Sequence, residues 1–216
     1  MPKIKICGLT REEDIENVNL LLPDYIGFVF WAESKRNVTE EKAALLKDKL
    51  DTRIKAVGVF VDADTDLIAG LFDKGIIDIA QLHGTEDDIY IGKLRDEVKL
   101  MAEDSGSGGR EFRIIKAFNV NRLASFEDAE NSSADYIMMD PGKGSGVAFD
   151  YSRLEALRRP YFLAGGLTPE NVGDAVRKMK PFALDVSSGV EKEGLKDRDK
   201  MTAFMNAAYE GAGHLI

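Results

Sequence analysis

A (β/α)8 barrel, formed by a single domain over residues 1–216, is the fold that the sequence predicts, and three observations predict it. Eight short runs rich in β-branched and aromatic residues recur along the chain. Most of them are near-continuous apolar stretches, the mark of strands covered on both faces in a parallel sheet. Their starts fall about 26 residues apart, close to the least that a strand, a helix and two short loops require, so the barrel is near its lower size limit. An open doubly wound sheet also alternates strand and helix, but the first run is not followed by a G-x-G-x-x-G turn, and the even spacing favours closure.

The predicted strands are IKIC (4–7), YIGFVF (25–30), IKAVGVFV (54–61), IIDIAQL (76–82), FRIIKAF (112–118), YIMMD (136–140), YFLA (161–164) and FALDVSS (182–188). Between the first two, Ile15, Val18 and Leu22 repeat loosely at helical spacing. The fourth unit is irregular: EDSGSGGRE (103–111) carries consecutive small residues and reads as an exposed loop, not a domain boundary. After the seventh run, Thr168 is the expected N-cap, with Pro169 and Glu170 opening a helix whose Val172, Ala175, Val176 and Met179 recur at i, i+3, i+4, i+7. Met201, Phe204, Met205 and Ala208 repeat that spacing in the last helix.

Composition narrows the function. The chain is 44% hydrophobic and 31% charged, enough for a core and a solvated surface, which excludes disorder as the main state. A formal charge of −9 argues against general affinity for nucleic acid or anionic lipid, while leaving room for a small anionic ligand. One cysteine and two histidines exclude an intramolecular disulfide and argue against a dedicated metal site. The longest apolar stretch, 25–32, is far short of the roughly 20 residues of a spanning helix, and MPKIKICGLT lacks a signal-peptide core, so the expected location is the cytoplasm.

In such barrels the chemistry sits at the C-terminal strand ends. There the sequence places Cys7, then Ser34, Lys35 and Arg36, Gln81 and His83, Asp140, and finally Asp185, Ser187 and Ser188. Cys7 is either a small buried hydrophobe or a general base or nucleophile, and the functional reading needs positive charge nearby, which Arg36 is placed to supply. Asp140 is either a cap or a carboxyl group fixed by a rigid strand and followed by Pro141 and the loop GKGSG. His83 reads as structural or catalytic, and Arg36 as a surface charge or a planar fork for a carboxylate. Gly165 and Gly166, followed directly by a helix, and Ser187 with Ser188 stand where barrels commonly hold phosphate on backbone amides. No Lys or Arg lies in LAGGLT or DVSSGVE, so the expected phosphate site is an amide cradle, with Lys192 and Lys196 beyond it.

Taken together, KICGLT, SKR, QLHG, MMD followed by GSGVAFDY, LAGGLTPENV and DVSSGVEKEGLKD resemble the phosphoribosylanthranilate isomerases of tryptophan biosynthesis, in matching order over nearly the whole chain. The resemblance implies a cofactor-free Amadori rearrangement of a phosphorylated small-molecule substrate, with Cys7 as general base and Asp140 as general acid, on strands that face each other across the barrel mouth. It implies that Arg36 binds the anthranilate carboxylate, that Asp185 holds the sugar hydroxyls, that His83 lies near the aromatic ring, and that the backbone of Gly165, Gly166, Ser187 and Ser188 receives the phosphate. No metal is implied, and a monomer or homodimer is expected. The small-residue stretch 104–109 and Asn37, where an aromatic residue often follows the arginine, depart from the family pattern. Rival readings are another phosphate-binding barrel isomerase or aldolase using Lys116 as a Schiff base, and a non-catalytic sugar-phosphate sensor.

Overall fold

The computed structural model describes residues 1–105, 109–123, 125–142, 154 and 157–213. Eight strands, β1 (Lys3–Cys7), β2 (Tyr25–Val29), β3 (Lys55–Phe60), β4 (Ile79–Leu82), β5 (Arg113–Asn119), β6 (Tyr136–Asp140), β7 (Tyr161–Leu163) and β8 (Ala183–Val186), pair in parallel in sequence order and close into a barrel. Seven α-helices are described around it: α1 (Glu12–Leu21), α2 (Glu40–Lys47), α3 (Thr65–Asp73), α4 (Asp88–Ser105), α5 (Glu127–Asn131), α6 (Val172–Met179) and α7 (Arg198–Gly211). No described helix is long and apolar enough to cross a membrane.

The strands alternate, which the continuous apolar runs conceal. Ile4, Ile6, Ile26, Phe28, Ile114 and Leu184 point outward and pack under the helices. Tyr25, Val57, Ile79, Ile115, Met138 and Phe162 point inward and fill the barrel. Strand residues i and i+2 share a face, so Lys5 and Cys7, Gln81, Asp140 and Asp185 all carry the inward parity. The register across the closing seam sets Lys5 beside Asp185, and that between β1 and β2 sets Cys7 beside Gly27.

Four local expectations change. The sixth helix begins at Val172 with Asn171 as its cap, not at Pro169, because the Asn171 side chain closes a turn of its own, accepting from Thr168 N at 2.9 Å and donating to Gly166 O at 2.9 Å. Leu22 is not part of the buried face of α1: it ends that helix in the left-handed conformation, φ 53°, and is exposed. The flexible stretch expected over 103–111 starts inside α4, and Arg110 is anchored, its guanidinium donating to the Phe72 and Asp73 carbonyls and lying over the Phe72 ring. Residues 106–108 of that stretch, and 143–146 of the GKGSG loop after Asp140, lie outside the described residues. Lastly, the eighth strand stops at Val186 and is followed by a 3-10 turn (Ser188–Val190) and a hairpin, β9 (Glu191–Lys192) with β10 (Leu195–Lys196), which folds the chain back over the barrel mouth.

Candidate active site

Two glycines shape the wall around Cys7. A Cβ on Gly27 would lie 2.7 Å from the Cys7 sulfur, and one on Gly8, φ +83°, would lie 2.3 Å from Arg36 Cδ. The thiol therefore occupies room left by its neighbour on β2, and Arg36 lies against the backbone just beyond β1. Val29, Val59 and Trp31 complete the apolar side of the thiol. Trp31, unremarked in the sequence except as part of an apolar run, contributes an aromatic surface at the mouth.

Beneath Cys7 lies Lys5, wholly buried, its ammonium donating to Asp185 Oδ1 at 2.7 Å. Burial works against the Lys5 charge, but Asp185 and Cys7 outweigh it and its pKa is raised. For Cys7 the balance is opposite: desolvation dominates over the attraction of Lys5 and Lys196, and Asp185 opposes them, so the thiol is pushed up and stays protonated. The cations that act on it most strongly are thus Lys5 and Lys196, and Arg36, which the sequence suggested, also couples to it by charge.

Asp140, 19% exposed at its side chain, ends β6, three strands from β1 around the closed barrel. The two strands thus stand across the mouth from each other, one strand short of diametrically opposite. Its Oδ1 accepts from Gly142 N at 2.7 Å and its Oδ2 lies 3.3 Å from His83 Nε2. Burial raises Asp140, yet these bonds and the charge of Lys5 prevail and hold the carboxyl below the usual carboxylate range. His83 meets this carboxyl group, and its Nδ1 is 2.9 Å from Gln81 Nε2.

Arg36 is not a free fork. Its Nε and Nη2 donate to the two carboxylate oxygens of Glu191 at 2.6 and 2.8 Å, leaving the Nη1 edge for a further anion. Glu191 also accepts from Lys196 Nζ at 2.7 Å, and Lys196 donates to the Ser187 carbonyl at 3.0 Å and hydroxyl at 3.3 Å. Ser187 in turn donates to the Cys7 carbonyl at 2.9 Å. Burial lowers the Lys196 pKa against the pull of Glu191, and Arg36 with Lys196 holds Glu191 down despite its burial. Lys196 is therefore a floor residue of the site, not a distant charge following the turn: the hairpin β9–β10 reverses direction and buries it. Glu191 escaped single-residue reading and Lys196 was read only as a charge beyond the cradle; the signal for both was their place in the DVSSGVEKEGLKD segment. For Lys5 the signal was a lysine within a strand otherwise apolar.

The glycine pair after β7 divides in role. Gly165, φ +88°, has its missing side chain against Pro141 and 3.0 Å from Asp140 Oδ1, whereas the Cβ direction of Gly166, φ +65°, meets only open space. Gly189 presses the two loops together, since a Cβ there would fall 1.9 Å from the Leu167 carbonyl oxygen. Among the described residues the amides of Gly165 and Gly166 find no acceptor in the chain, which leaves them for an anion. Lys116, the rival Schiff-base candidate, points out of the barrel and is paired with buried Glu86 at 2.8 Å.

The model for N-(5'-phosphoribosyl)anthranilate isomerase matches residues 4–207. The isomerase of that name from Endomicrobium trichonymphae is 42% identical over 207 residues, covering 93% of this chain and 95% of that protein. Among solved structures, the monomers generated from the dimeric isomerase of Thermotoga maritima superpose with a TM-score of 0.80 at 33% identity, covering 97% of this chain and all of that one. A phosphoribosylanthranilate isomerase in complex with reduced 1-(o-carboxyphenylamino)-1-deoxyribulose 5-phosphate gives 0.76 at 31% identity, with the same coverage.

Proposed function

The chain belongs to the N-(5'-phosphoribosyl)anthranilate isomerase family, and on that premise we propose the parts its residues play. It is the isomerase of tryptophan biosynthesis that converts N-(5'-phosphoribosyl)anthranilate to 1-(2-carboxyphenylamino)-1-deoxyribulose 5-phosphate. Asp140 gives a proton to the furanose ring oxygen, the C1–O bond breaks, and the anilino nitrogen lone pair forms the C1=N bond. The Cys7 thiolate then takes the proton from C2, whose electrons move into C1=C2 and neutralise the iminium. The resulting enolamine tautomerises to the ketone. The observation that carries this assignment is one buried cation, Lys5, acting on both groups at inward strand positions of the same barrel mouth.

In the resting site the pair holds one proton, but on the thiol. Substrate corrects this by an asymmetry in burial. Asp140 is still partly open to water, and covering it raises its pKa, while Cys7 is already buried and has little hydration left to lose. Anthranilate carboxylate meets the free edge of Arg36, the sugar hydroxyls reach Asp185 beside Lys5, and the phosphate rests on the amides of Gly165, Gly166, Ser187 and Ser188, with Lys196 lending charge from below. Consumption of the fluorescent anthranilate substrate by the purified protein tests the reading, and a folded protein without turnover overturns it.

Two further results are expected. Below the depressed pKa of Asp140 the pair gains a second proton, and above the elevated pKa of Cys7 it loses its only one. The kcat/KM profile should therefore be flat between about pH 5 and about pH 8, the ordinary carboxyl and thiol values being about 3.9 and 8.5. An acid limb well above the carboxylate range would remove Asp140 from the role of proton donor. Secondly, Gly166→Val sets a branched side chain where the phosphate lies and should raise KM at least about tenfold, the loss of one charged hydrogen bond being worth about 1.5–3 kcal/mol, and should abolish protection by inorganic phosphate. Lys192→Ala, at an exposed position, should leave both unchanged, and the reverse pattern would replace the amide cradle with an ion-pair site.

A further inference from the structure

Gln81 is buried, 1% exposed, on the inward face of β4. Its Nε2 meets two acceptors, His83 Nδ1 at 2.9 Å and Met138 Sδ at 3.4 Å. Its Oε1 is buried and meets no donor among the described residues. Packing does not account for such a residue, because a methionine would fill the same space without stranding an amide oxygen. What only a carboxamide does here is offer a donor and an acceptor on one rotating group.

We propose that Gln81 is a positioning residue that sets the tautomer of His83 and, through it, the hydrogen bond presented to Asp140. With Nε2 of the amide donating to Nδ1, the neutral imidazole carries its proton on Nε2, which faces Asp140 Oδ2 at 3.3 Å and donates to the carboxylate. When Cys7 gives up its proton and Asp140 takes one, a proton enters from solvent at Nδ1 of the partly exposed His83 while the Nε2 proton passes to Asp140, so that the Cys7–Asp140 pair still holds one. The carboxyl O–H then donates to bare Nε2, and the Nδ1 proton needs an acceptor. Half a turn of the Gln81 amide supplies one, its unpartnered Oε1. The two faces of Gln81 thus match the two protonation states of Asp140, with the Gly142 amide and the Lys5 charge acting on the carboxyl in both. This inference rests on Asp140 being the proton donor.

Nitrogen-15 spectra of the imidazoles and steady-state kinetics test it together. In the wild-type protein at neutral pH, His83, one of only two histidines, should be neutral with its proton on Nε2, a result that needs no variant to fold. Gln81→Met should give mixed tautomers and lower kcat about tenfold, below the hundredfold that misplaced groups can cost, with KM within about twofold. His83→Asn should cost as much, and adding Gln81→Met to it should cost no more, as expected of residues acting in series. A wild-type ring protonated on Nδ1, or additive losses in the double variant, overturns the proposal while turnover itself persists. Absence of turnover in the wild type would instead overturn the functional reading beneath it.

Discussion

Cys7→Ala and Asp140→Asn should each lower kcat by at least about a hundredfold, since positioned general bases and acids typically contribute 10²–10⁴. Neither change should disturb folding. Cys7 is a small side chain in a niche made by Gly27 and Val29, and asparagine keeps an acceptor for the Gly142 amide that now binds Asp140 Oδ1. The two variants should differ in what remains. Asp140→Asn loses the proton that opens the furanose ring, so supplying substrate already opened should restore part of its rate, while Cys7→Ala should gain nothing from it. Turnover within a few fold of wild type in either variant would remove that residue from the reaction.

Lys5→Met should cost about 3–5 kcal/mol of stability in urea denaturation, the usual effect of stripping one partner from a buried ion pair. The reason is the fate of Asp185, which keeps its charge at 11% side-chain exposure with its ammonium partner gone. The same change removes the nearest cation from Cys7, whose thiol is already pushed up by burial, so alkylation of Cys7 at neutral pH should slow. Replacing both partners, Lys5→Met with Asp185→Leu, should recover most of the stability, because a buried pair is often no better than apolar residues of its size, and should not recover kcat. Recovery of activity together with stability would show the pair to be a structural fastener only.

The strands and helices were legible because their causes are local. Burial on both faces writes an apolar run, and one buried helix stripe writes i, i+3, i+4, so all eight strands were found to within about three residues. The helix after β7 was misplaced at its start because the Asn171 side chain closes a turn that Thr168–Pro169 alone did not announce. At the site, the strand-end rule brought forward Cys7, His83, Asp140 and Asp185 as candidates but misjudged some of their partners. Arg36 looked like an open fork because nothing near it in sequence reveals Glu191, 155 positions on. Lys196 looked like a bystander because its burial depends on a hairpin folding back over the mouth.

By itself, then, the sequence determined an eight-unit parallel barrel, written in apolar runs, the helical period of 3.6 and a repeat of about 26 residues, and, through its motifs, the family to which it belongs and the strand ends at which its chemistry is proposed. Only the closed tertiary structure decided the electrostatics. Closing β8 onto β1 brings Asp185 to Lys5 across 180 residues, and wrapping β4 and β6 into one wall brings His83 to Asp140. Charge interactions depend on distance and dielectric in space, and neither is set by position along the chain until the barrel shuts and excludes water.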